Sequence, residues 1–280
     1  MLNLWYNFIE VVLPFQWIEH EFMKNALLAV ILITPLFGLL GTMIVMNKMA
    51  FFSDSLGHGA FTGIAIGSLI GLVEPVLAAV AFSIAFALGI TLVKSKSYAS
   101  TDTIIGVFSS IAVALGLVLM SLGGSFNKYS SYLIGDLLSI SPSEIMLLLF
   151  VFIAVIILWA LIFNRLLLIS VNQSLAGSRG IKTLQVEMIF TSIIAVIVTI
   201  SIQWVGLLII NSLLVLPAAA AKNITSNVRK YTLISVLISV FSGVTGLIAS
   251  YYLNTATGAT IVLVSGLLFF VSLALKNKFD

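Results

Sequence analysis

Long apolar runs separated by short polar segments dominate the pattern along the chain. A helix needs about 20 mostly apolar residues to cross the hydrocarbon core of a bilayer. Nine runs meet that need: residues 22–46, 52–72, 75–93, 103–122, 143–163, 184–202, 205–221, 231–251 and 258–275. Only Gln203 and Trp204 separate the sixth run from the seventh, so an eight-span alternative stays open. The pattern predicts an all-α membrane bundle of about nine transmembrane helices, in one domain over residues 1–280.

Composition agrees with a polytopic membrane protein. The 280 residues are 61% hydrophobic and 8% charged, whereas a soluble domain carries roughly a quarter charged residues. The absence of cysteine excludes disulfides and thiolate metal ligands. Residues 1–20 lack a basic region typical of a signal peptide and are predicted to form an interfacial segment. The aromatic residues expected at headgroup depth are Trp5, Tyr6, Phe8, Phe15 and Trp17.

The positions of the basic residues predict the orientation. With nine spans and the N-terminus outside, 11 of the 13 basic residues lie on the cytoplasmic side, and only Lys24 and Lys128 lie outside. Cytoplasmic loops carry an excess of lysine and arginine in membrane proteins. The C-terminus is therefore expected in the cytoplasm. The cytoplasmic residues are Lys48, Lys94, Lys96, Arg165, Arg179, Lys182, Lys222, Arg229, Lys230, Lys276 and Lys278.

Asp54 and His58 are the most informative polar residues. They lie four residues apart in an otherwise apolar, small or hydroxylated run, so an α-helix places them on one face, one turn apart. Ionisable groups within a membrane span are costly and by default indicate an ion path or binding site. A carboxylate with an imidazole suits zinc or manganese. The alternative is that Asp54 stabilises a helix start while His58, which is deeper, is a satisfied core residue.

Other ionisable residues have simpler interpretations. Asp102 is predicted to cap the fourth span, and Asp136 to structure the loop over 123–142. Glu187 is expected to stay at the membrane interface. His20 is interpreted as part of a solvated external face, although it could bind a metal weakly beside its acidic neighbours.

Small residues recur every four positions along the second span, at Ser55, Gly59, Gly63, Gly67 and Gly71. In lipid such a stripe lets helices approach closely, and the predicted role is helix packing around a central span. Pro217 lies within the seventh span and predicts a kink, which either borders a translocation path or has no functional role. The segment 164–183 is the longest predicted cytoplasmic connection, with a short helix over 173–179.

Motifs of common enzymes are absent from the sequence. It has no phosphate-binding G-x-x-x-x-G-K-[ST] loop, no H-E-x-x-H pair and no G-x-S-x-G elbow. The chain is therefore expected not to be an enzyme, and not to hydrolyse ATP by a phosphate-loop mechanism.

Four stretches carry a resemblance to a known family. The sequence MNKMAFFSDSLGHGAFTGIAIG at 46–67, with segments 100–122, 132–144 and 205–222, resembles the permease subunits of bacterial zinc/manganese/iron ABC importers. The resemblance covers nearly the whole chain in the right order and is somewhat stronger to the zinc permeases. One departure is Lys48, where many members carry arginine, which changes the geometry available to the charge.

The resemblance implies a homodimer in the cytoplasmic membrane, with cytoplasmic ABC ATPase subunits that bind ATP and an extracytoplasmic metal-binding protein. It implies the fold of the vitamin B12-type (type II) importers without their first helix, no permanently bound cofactor and no nucleic acid. Asp54 and His58 would be metal ligands, and residues 173–181 would be the coupling helix, with Ala176, Gly177 and Gly180 at the ATPase contact.

The expected substrate is Zn²⁺, with Mn²⁺ and Fe²⁺ open because all three accept these ligands. Three rivals remain: a siderophore or cobalamin permease, an ion-coupled secondary transporter, and a membrane scaffold that transports nothing.

Overall fold

The computed structural model describes residues 2–12, 15–72, 74–123 and 131–276, and all regular structure within these ranges is helical. The helices are α1 Leu2–Val12, α2 Glu21–Met46, α3 Phe52–Leu69, α4 Val76–Lys96, α5 Thr101–Gly123, α6 Ser131–Ile134, α7 Pro142–Val171, α8 Gln173–Ser178, α9 Thr183–Val205, α10 Leu207–Ile224, α11 Val228–Leu253 and α12 Thr257–Leu275. Single turns of 3₁₀-helix lie at Gln16–Glu19 and Leu137–Ser139.

The predicted all-α membrane bundle is confirmed, and nine of these helices correspond to the nine predicted spans. Among the described residues, 7 helices are long and apolar enough to cross a membrane: α2, α4, α5, α7, α9, α11 and α12. The other two are α3, whose apolar sequence is interrupted by small and polar residues, and α10, whose apolar stretch is shorter. Most residues of α3 are buried, so it contacts protein and does not need a fully apolar surface.

A single residue, Gly206, separates α9 from α10. Its φ of 91° and ψ of 143° are accessible to glycine and costly for other residues. Its N–H donates to the Ile202 carbonyl, and its own carbonyl accepts from the Ile210 N–H. The sixth and seventh predicted spans are therefore two separate helices, and the number of membrane crossings stays a prediction.

Two helices end at residues other than the ends of the predicted spans. Helix α7 continues to Val171, so the first residues of the connection predicted over 164–183 are helical and Arg165 lies on a helix. Asn164 and Arg165 are polar residues of the kind that end a span. A helix can continue through such a position, because a long arginine side chain can extend along the helix to reach water. At the other boundary, α3 ends at Leu69.

Gly71 does not belong to the packing stripe. It lies beyond the end of α3 with φ 74°. The Gly71 N–H donates to the Ser68 carbonyl, and the Leu72 N–H donates to the Gly67 carbonyl. These are the two bonds of a Schellman cap, which glycine favours because it has no Cβ. A Cβ at Gly71 would meet no described atom within 4 Å, so the residue terminates the helix and does not pack against another.

The residues cluster into two compact units, the first comprising residues 1–42, 135–154 and 212–280. In this unit α2 and α11 approach closely: a Cβ on Gly38 would lie 2.8 Å from the Ser235 carbonyl oxygen, and the Ser235 hydroxyl donates to the Gly38 carbonyl at 2.6 Å. Gly246 of α11 would likewise place a Cβ 2.6 Å from Ile261 Cα of α12. Small and hydroxylated residues therefore join these helices, as expected in lipid.

Helix α1 is bonded to the start of α2 in the same unit. The Trp5 indole N–H donates to the Lys24 carbonyl at 3.2 Å, and the Tyr6 hydroxyl donates to Asn25 Oδ1 at 2.6 Å. Lys24, 4% exposed, forms an ion pair with Glu10, which explains how α2 accommodates a lysine near its start. Trp17 is 2% exposed, so its ring contacts protein rather than lipid headgroups, and the interfacial position of residues 1–20 stays a prediction.

The second unit comprises residues 43–134 and 155–211. Helix α3 lies at its centre and packs on α4, α5 and α9. Its core includes Ala60, Phe61, Ile64, Ala65, Ala79, Met120, Ile202 and Leu207. That residues 1–280 form one membrane domain stays a prediction.

Candidate metal-binding site

Asp54 and His58 lie in the first two turns of α3, on one face. His58 Nε2 is 3.7 Å from Asp54 Oδ2, and the side chains are 27% and 38% exposed, respectively. If an ion lay about 2.05 Å from each of these two atoms, the angle between them at the ion would be roughly 130°. This is close enough to the tetrahedral angle for one zinc ion to bind both side chains. Over the described ranges no three His, Cys, Asp or Glu side chains gather into a potential metal cluster. The pair thus supplies two ligands.

The stripe of small residues on α3 faces α4. A Cβ on Gly63 would lie 2.6 Å from Ala79 Cα, and one on Gly67 would lie 2.9 Å from Ala78 Cβ. A Cβ on Gly59 would lie 3.0 Å from Phe86 Cδ1. Ser55, one turn earlier, is fully buried. Glycine at these positions allows the close approach of α3 and α4, which turns Asp54 and His58 away from α4.

Thr62 attaches the next face of α3 to α5. Its hydroxyl lies 2.7 Å from the Ala112 carbonyl oxygen and 3.0 Å from that of His58, and donates between them. A Cβ on Gly116 would lie 2.9 Å from the Thr62 hydroxyl, so glycine makes room for this contact. The backbone of His58 is therefore held by a side chain that itself bonds to α5.

The start of α10 packs on a third face of α3. A Cβ on Gly57 would lie 3.3 Å from Leu207 Cγ, and the Ser53 hydroxyl donates to Asn211 Oδ1. On a helical projection, Asp54 and His58 lie on the arc between the Thr62 face and the Gly57 face. The packing within this unit thus fixes the ligand helix on three sides and leaves both candidate ligands partly accessible.

Helix capping accounts for Asp54 only in part. Asp54 lies in the first turn of α3, where the helix dipole favours a carboxylate. His58 lies one turn deeper, where no dipole argument applies. Elsewhere, Asp102 is not the cap that the sequence predicted, because the Thr103 N–H bonds to the Ser100 hydroxyl at 3.2 Å. A serine preceding the helix satisfies this N–H group, and Asp102 lies in the first turn.

Three other interpretations can be compared with the structure. Asp136 accepts from the Leu138 N–H at 3.1 Å, so it does structure its loop. His20 is exposed and stacks on Phe22 with ring centroids 5.3 Å apart. Pro217 is buried within α10, which continues unbroken to Ile224.

The predicted coupling segment forms α8, a short helix that Asn172 caps through a bond from the Leu175 N–H. Gly180 has φ 77° and closes the helix with a Schellman cap, in which the Ile181 N–H donates to the Ala176 carbonyl at 3.2 Å. Gly177 is exposed, and a Cβ there would meet no described atom within 4 Å. Ala176 is fully buried, so its prediction as an ATPase contact is wrong: it faces its own chain.

The partners in three contacts of this unit had no signal in the sequence: the bond from Thr62 to Ala112, the Ser53–Asn211 bond and an ion pair between Lys94 and Glu187. Each joins residues distant in sequence. A polar residue in an apolar run was the available clue, but the run does not identify its partner.

Comparison with known proteins settles the family. The model of the ABC 3 transport family matches residues 19–276 of the chain. The chain belongs to the ABC 3 transport family. The resemblance to metal-importer permeases inferred from the four motifs is confirmed, and so is the expectation of a permease rather than an enzyme.

Individual relatives match over nearly their full length. The chain is 32% identical to the high-affinity zinc uptake system membrane protein ZnuB of Haemophilus influenzae, covering 92% of this chain and 99% of that protein. It is 28% identical to the manganese transport system membrane protein MntC of Listeria monocytogenes, covering 93% and 92%. The structure of PsaBC from Streptococcus pneumoniae in complex with Fab aligns with a TM-score of 0.78 at 25% identity, covering 97% of this chain and 95% of that chain.

Proposed function

We propose that this chain is the permease through which Zn²⁺ crosses the cytoplasmic membrane of a bacterium, with Asp54 and His58 as transient ligands of the passing ion. The observation that carries the proposal is the geometry of the pair, two ligand atoms 3.7 Å apart on a mostly buried, weakly apolar helix. An apolar scaffold helix would not need two ionisable residues on its accessible arc.

The number of ligands suits transport rather than storage. Two protein ligands leave the remaining coordination positions to water or to a second copy of the chain. A second copy would supply another Asp54 and His58, which makes four ligands, the usual number for zinc. A site on a path must bind the ion well enough to admit it and weakly enough to release it.

Zinc is proposed over manganese on two grounds. The motifs resemble the zinc permeases more closely, and the chain is 32% identical to a zinc uptake protein. Manganese is the second candidate because a relative named for manganese transport is 28% identical over nearly the same residues. Carboxylate oxygen and imidazole nitrogen accept either ion, so the ligand types do not discriminate.

The proposal includes partners and an orientation. ATP is hydrolysed by cytoplasmic ATPase subunits, an extracytoplasmic protein delivers the metal, and two permease copies form the pathway. The N-terminus lies outside and the C-terminus inside. The exposed face of α8, including Leu175 and Gly177, docks on the ATPase, because α8 lies in the connection between α7 and α9 on the predicted cytoplasmic side.

Uptake of radioactive zinc and manganese by cells that depend on this importer tests the proposal. Asp54→Asn removes the charge and His58→Ala removes the imidazole, so each should abolish uptake and leave membrane insertion intact. Two matched controls exist in the chain. Asp102→Asn removes a carboxylate from the first turn of another helix, and His20→Ala removes the only other histidine.

Both controls should transport like the unmodified protein. Uptake by His58→Ala at the rate of His20→Ala would contradict the assignment of the ligand. Faster uptake of manganese than of zinc at equal free concentrations would replace zinc by manganese as the substrate.

A further inference from the structure

Helices α4 and α9 are joined by an ion pair near the end of α4. Lys94 Nζ lies 3.4 Å from Glu187 Oε2, and the side chains are 21% and 12% exposed. Lys94 is in the last turn of α4, and Glu187 is in the second turn of α9. The sequence predicted that Glu187 lies at the membrane interface and did not identify Lys94 as its partner.

Stability alone does not explain the pair. Taking two charges out of water costs free energy that their attraction recovers only in part, and well-packed apolar replacements of buried ion pairs are often neutral or stabilising. Another polar contact already joins the same helices, because the Thr91 and Thr191 hydroxyls lie 3.0 Å apart. A mostly buried ion pair between two membrane helices, beside another polar contact that already joins them, is therefore a candidate for a functional role.

The pair also reaches the segment that leads into the ligand helix. Lys94 Nζ lies 4.0 Å from Met49 Sδ, and Met49 is 4% exposed. The carbonyl of Met49 accepts from the N–H of Phe52, the first residue of α3. Just before it, Lys48 closes α2 with φ 54°, a conformation costly for residues other than glycine. This short, constrained turn cannot move without moving the start of α3.

Through α9 the pair is also linked to α8. Glu187 belongs to the helix that follows α8, and the two helices contact one another. The turn between them is held by the Schellman cap at Gly180 and by the Gln185 N–H, which donates to the Lys182 carbonyl at 3.0 Å. A displacement of α8 is therefore transmitted to the first turns of α9, where Glu187 lies.

We propose that Lys94 and Glu187 are positioning residues that couple α8 to the metal-ligand helix α3. Movement imposed on α8 by the ATPase shifts Glu187, Lys94 follows its ion-pair partner, and the Met49 turn carries the change into the helix of Asp54 and His58. The inference rests on the proposed function, since it assigns a purpose to movement between those two sites.

The test uses the full permease, purified with its ATPase subunits, reconstituted in liposomes and supplied with its metal-binding protein. Metal uptake and phosphate release are measured together, and their ratio is the readout. The double variant Lys94→Met with Glu187→Leu replaces the pair by apolar side chains of similar size. It should melt at or above the temperature of the unmodified complex, while its ratio of metal carried to ATP hydrolysed should fall at least about fivefold.

Lys96→Met is the matched control, because it removes a lysine from the same last turn at an exposed position. It should keep the unmodified ratio. A stable apolar double variant that also keeps the unmodified ratio would overturn the inference and leave the pair a structural contact. If the double variant does not fold, Glu187→Gln, which removes only the charge, is measured and judged by the same ratio.

Failure of the underlying function would look different. If the unmodified complex carries no metal, or if His58→Ala carries it normally, the proposed function fails whatever the pair does. If His58→Ala is inactive but the pair variants keep the unmodified ratio, only the coupling inference fails.

Discussion

Replacing Gly63 by alanine tests the contact that places the ligand helix. Gly63 lies midway along α3, and its added Cβ would lie 2.6 Å from Ala79 Cα and 3.1 Å from the Ala78 carbonyl oxygen on α4. Both neighbours are backbone atoms, which cannot rotate away as a side-chain end can. The two helices must therefore separate to accept a single methyl group.

The size of the effect follows from these distances. Carbon atoms in contact lie about 3.5–4.0 Å apart, so the 2.6 Å approach to Ala79 requires a separation of about 1 Å. Overpacking of this kind costs about 1–3 kcal/mol, whereas exchanging glycine for alanine within a helix returns about 0.5–1 kcal/mol. We expect a net loss of about 0–2.5 kcal/mol, centred near 1.25 kcal/mol, which corresponds at its centre to a fall in apparent Tm of roughly 3–5 °C at the sensitivity of domains of this size.

The matched control is Gly106→Ala. Gly106 lies within α5, and a Cβ there would meet no atom within 4 Å among the residues that the structure describes. This variant gains the helix preference of alanine without the clash, so its Tm should stay unchanged or rise. The assay heats detergent-purified protein in steps and measures the fraction that still elutes as a single species from a size-exclusion column.

The order of the two variants decides the result. If Gly63→Ala melts at or above the temperature of Gly106→Ala, α3 and α4 are not in close contact at this position. The contact with α4 would then not explain why Asp54 and His58 lie on an accessible arc of α3.

Three further predictions concern other parts of the chain. Glu10→Gln leaves the buried ammonium of Lys24 without its counter-charge and should lower the free energy of unfolding by about 1–3 kcal/mol. Adding Lys24→Met should restore the thermal midpoint. If Glu10→Gln alone is as stable as the unmodified protein, the ion pair is not formed. Gly206→Ala forces a side chain into a backbone conformation that costs about 1–3 kcal/mol, so it should reduce the yield of folded protein in a size-exclusion profile, which an unchanged profile would contradict. Gly177→Trp enlarges an exposed position of α8 and should abolish co-purification of the ATPase while the permease stays folded. Gly106→Trp is the control. If Gly177→Trp recovers as much ATPase as the unmodified protein, the docking site lies elsewhere.

Asp54 and His58 illustrate how far local sequence carries a functional argument. Their spacing of four depends only on helix geometry, and the structure accordingly places them one turn apart with ligand atoms 3.7 Å apart. Gly59, Gly63 and Gly67 likewise lie on one face because they share the same period. Gly71 follows the same spacing but lies beyond the helix end, because the period continues in the sequence after the backbone has turned.

The errors arose where a residue's role depends on what lies opposite it. Ala176 has the size suited to a docking surface, yet it faces its own chain. Trp17 has the amphipathic ring typical of a headgroup contact, yet it packs within the protein. Asp102 is a good capping residue, but the preceding serine forms the bond. In each case the residue type was compatible with two environments, and the environment was contributed by residues elsewhere in the chain.

Amino-acid sequence by itself determined the membrane class, the helical runs, the family motifs and the candidate ligands, because hydropathy, helical period and residue chemistry are local properties. Only the tertiary structure decided which face of α3 stays accessible, that Thr62 and Asn211 hold the ligand helix, and that Lys94 is paired with Glu187. Those contacts join positions from 50 to 158 residues apart. Such pairs become neighbours only when helices pack, so no pattern along the chain contains them.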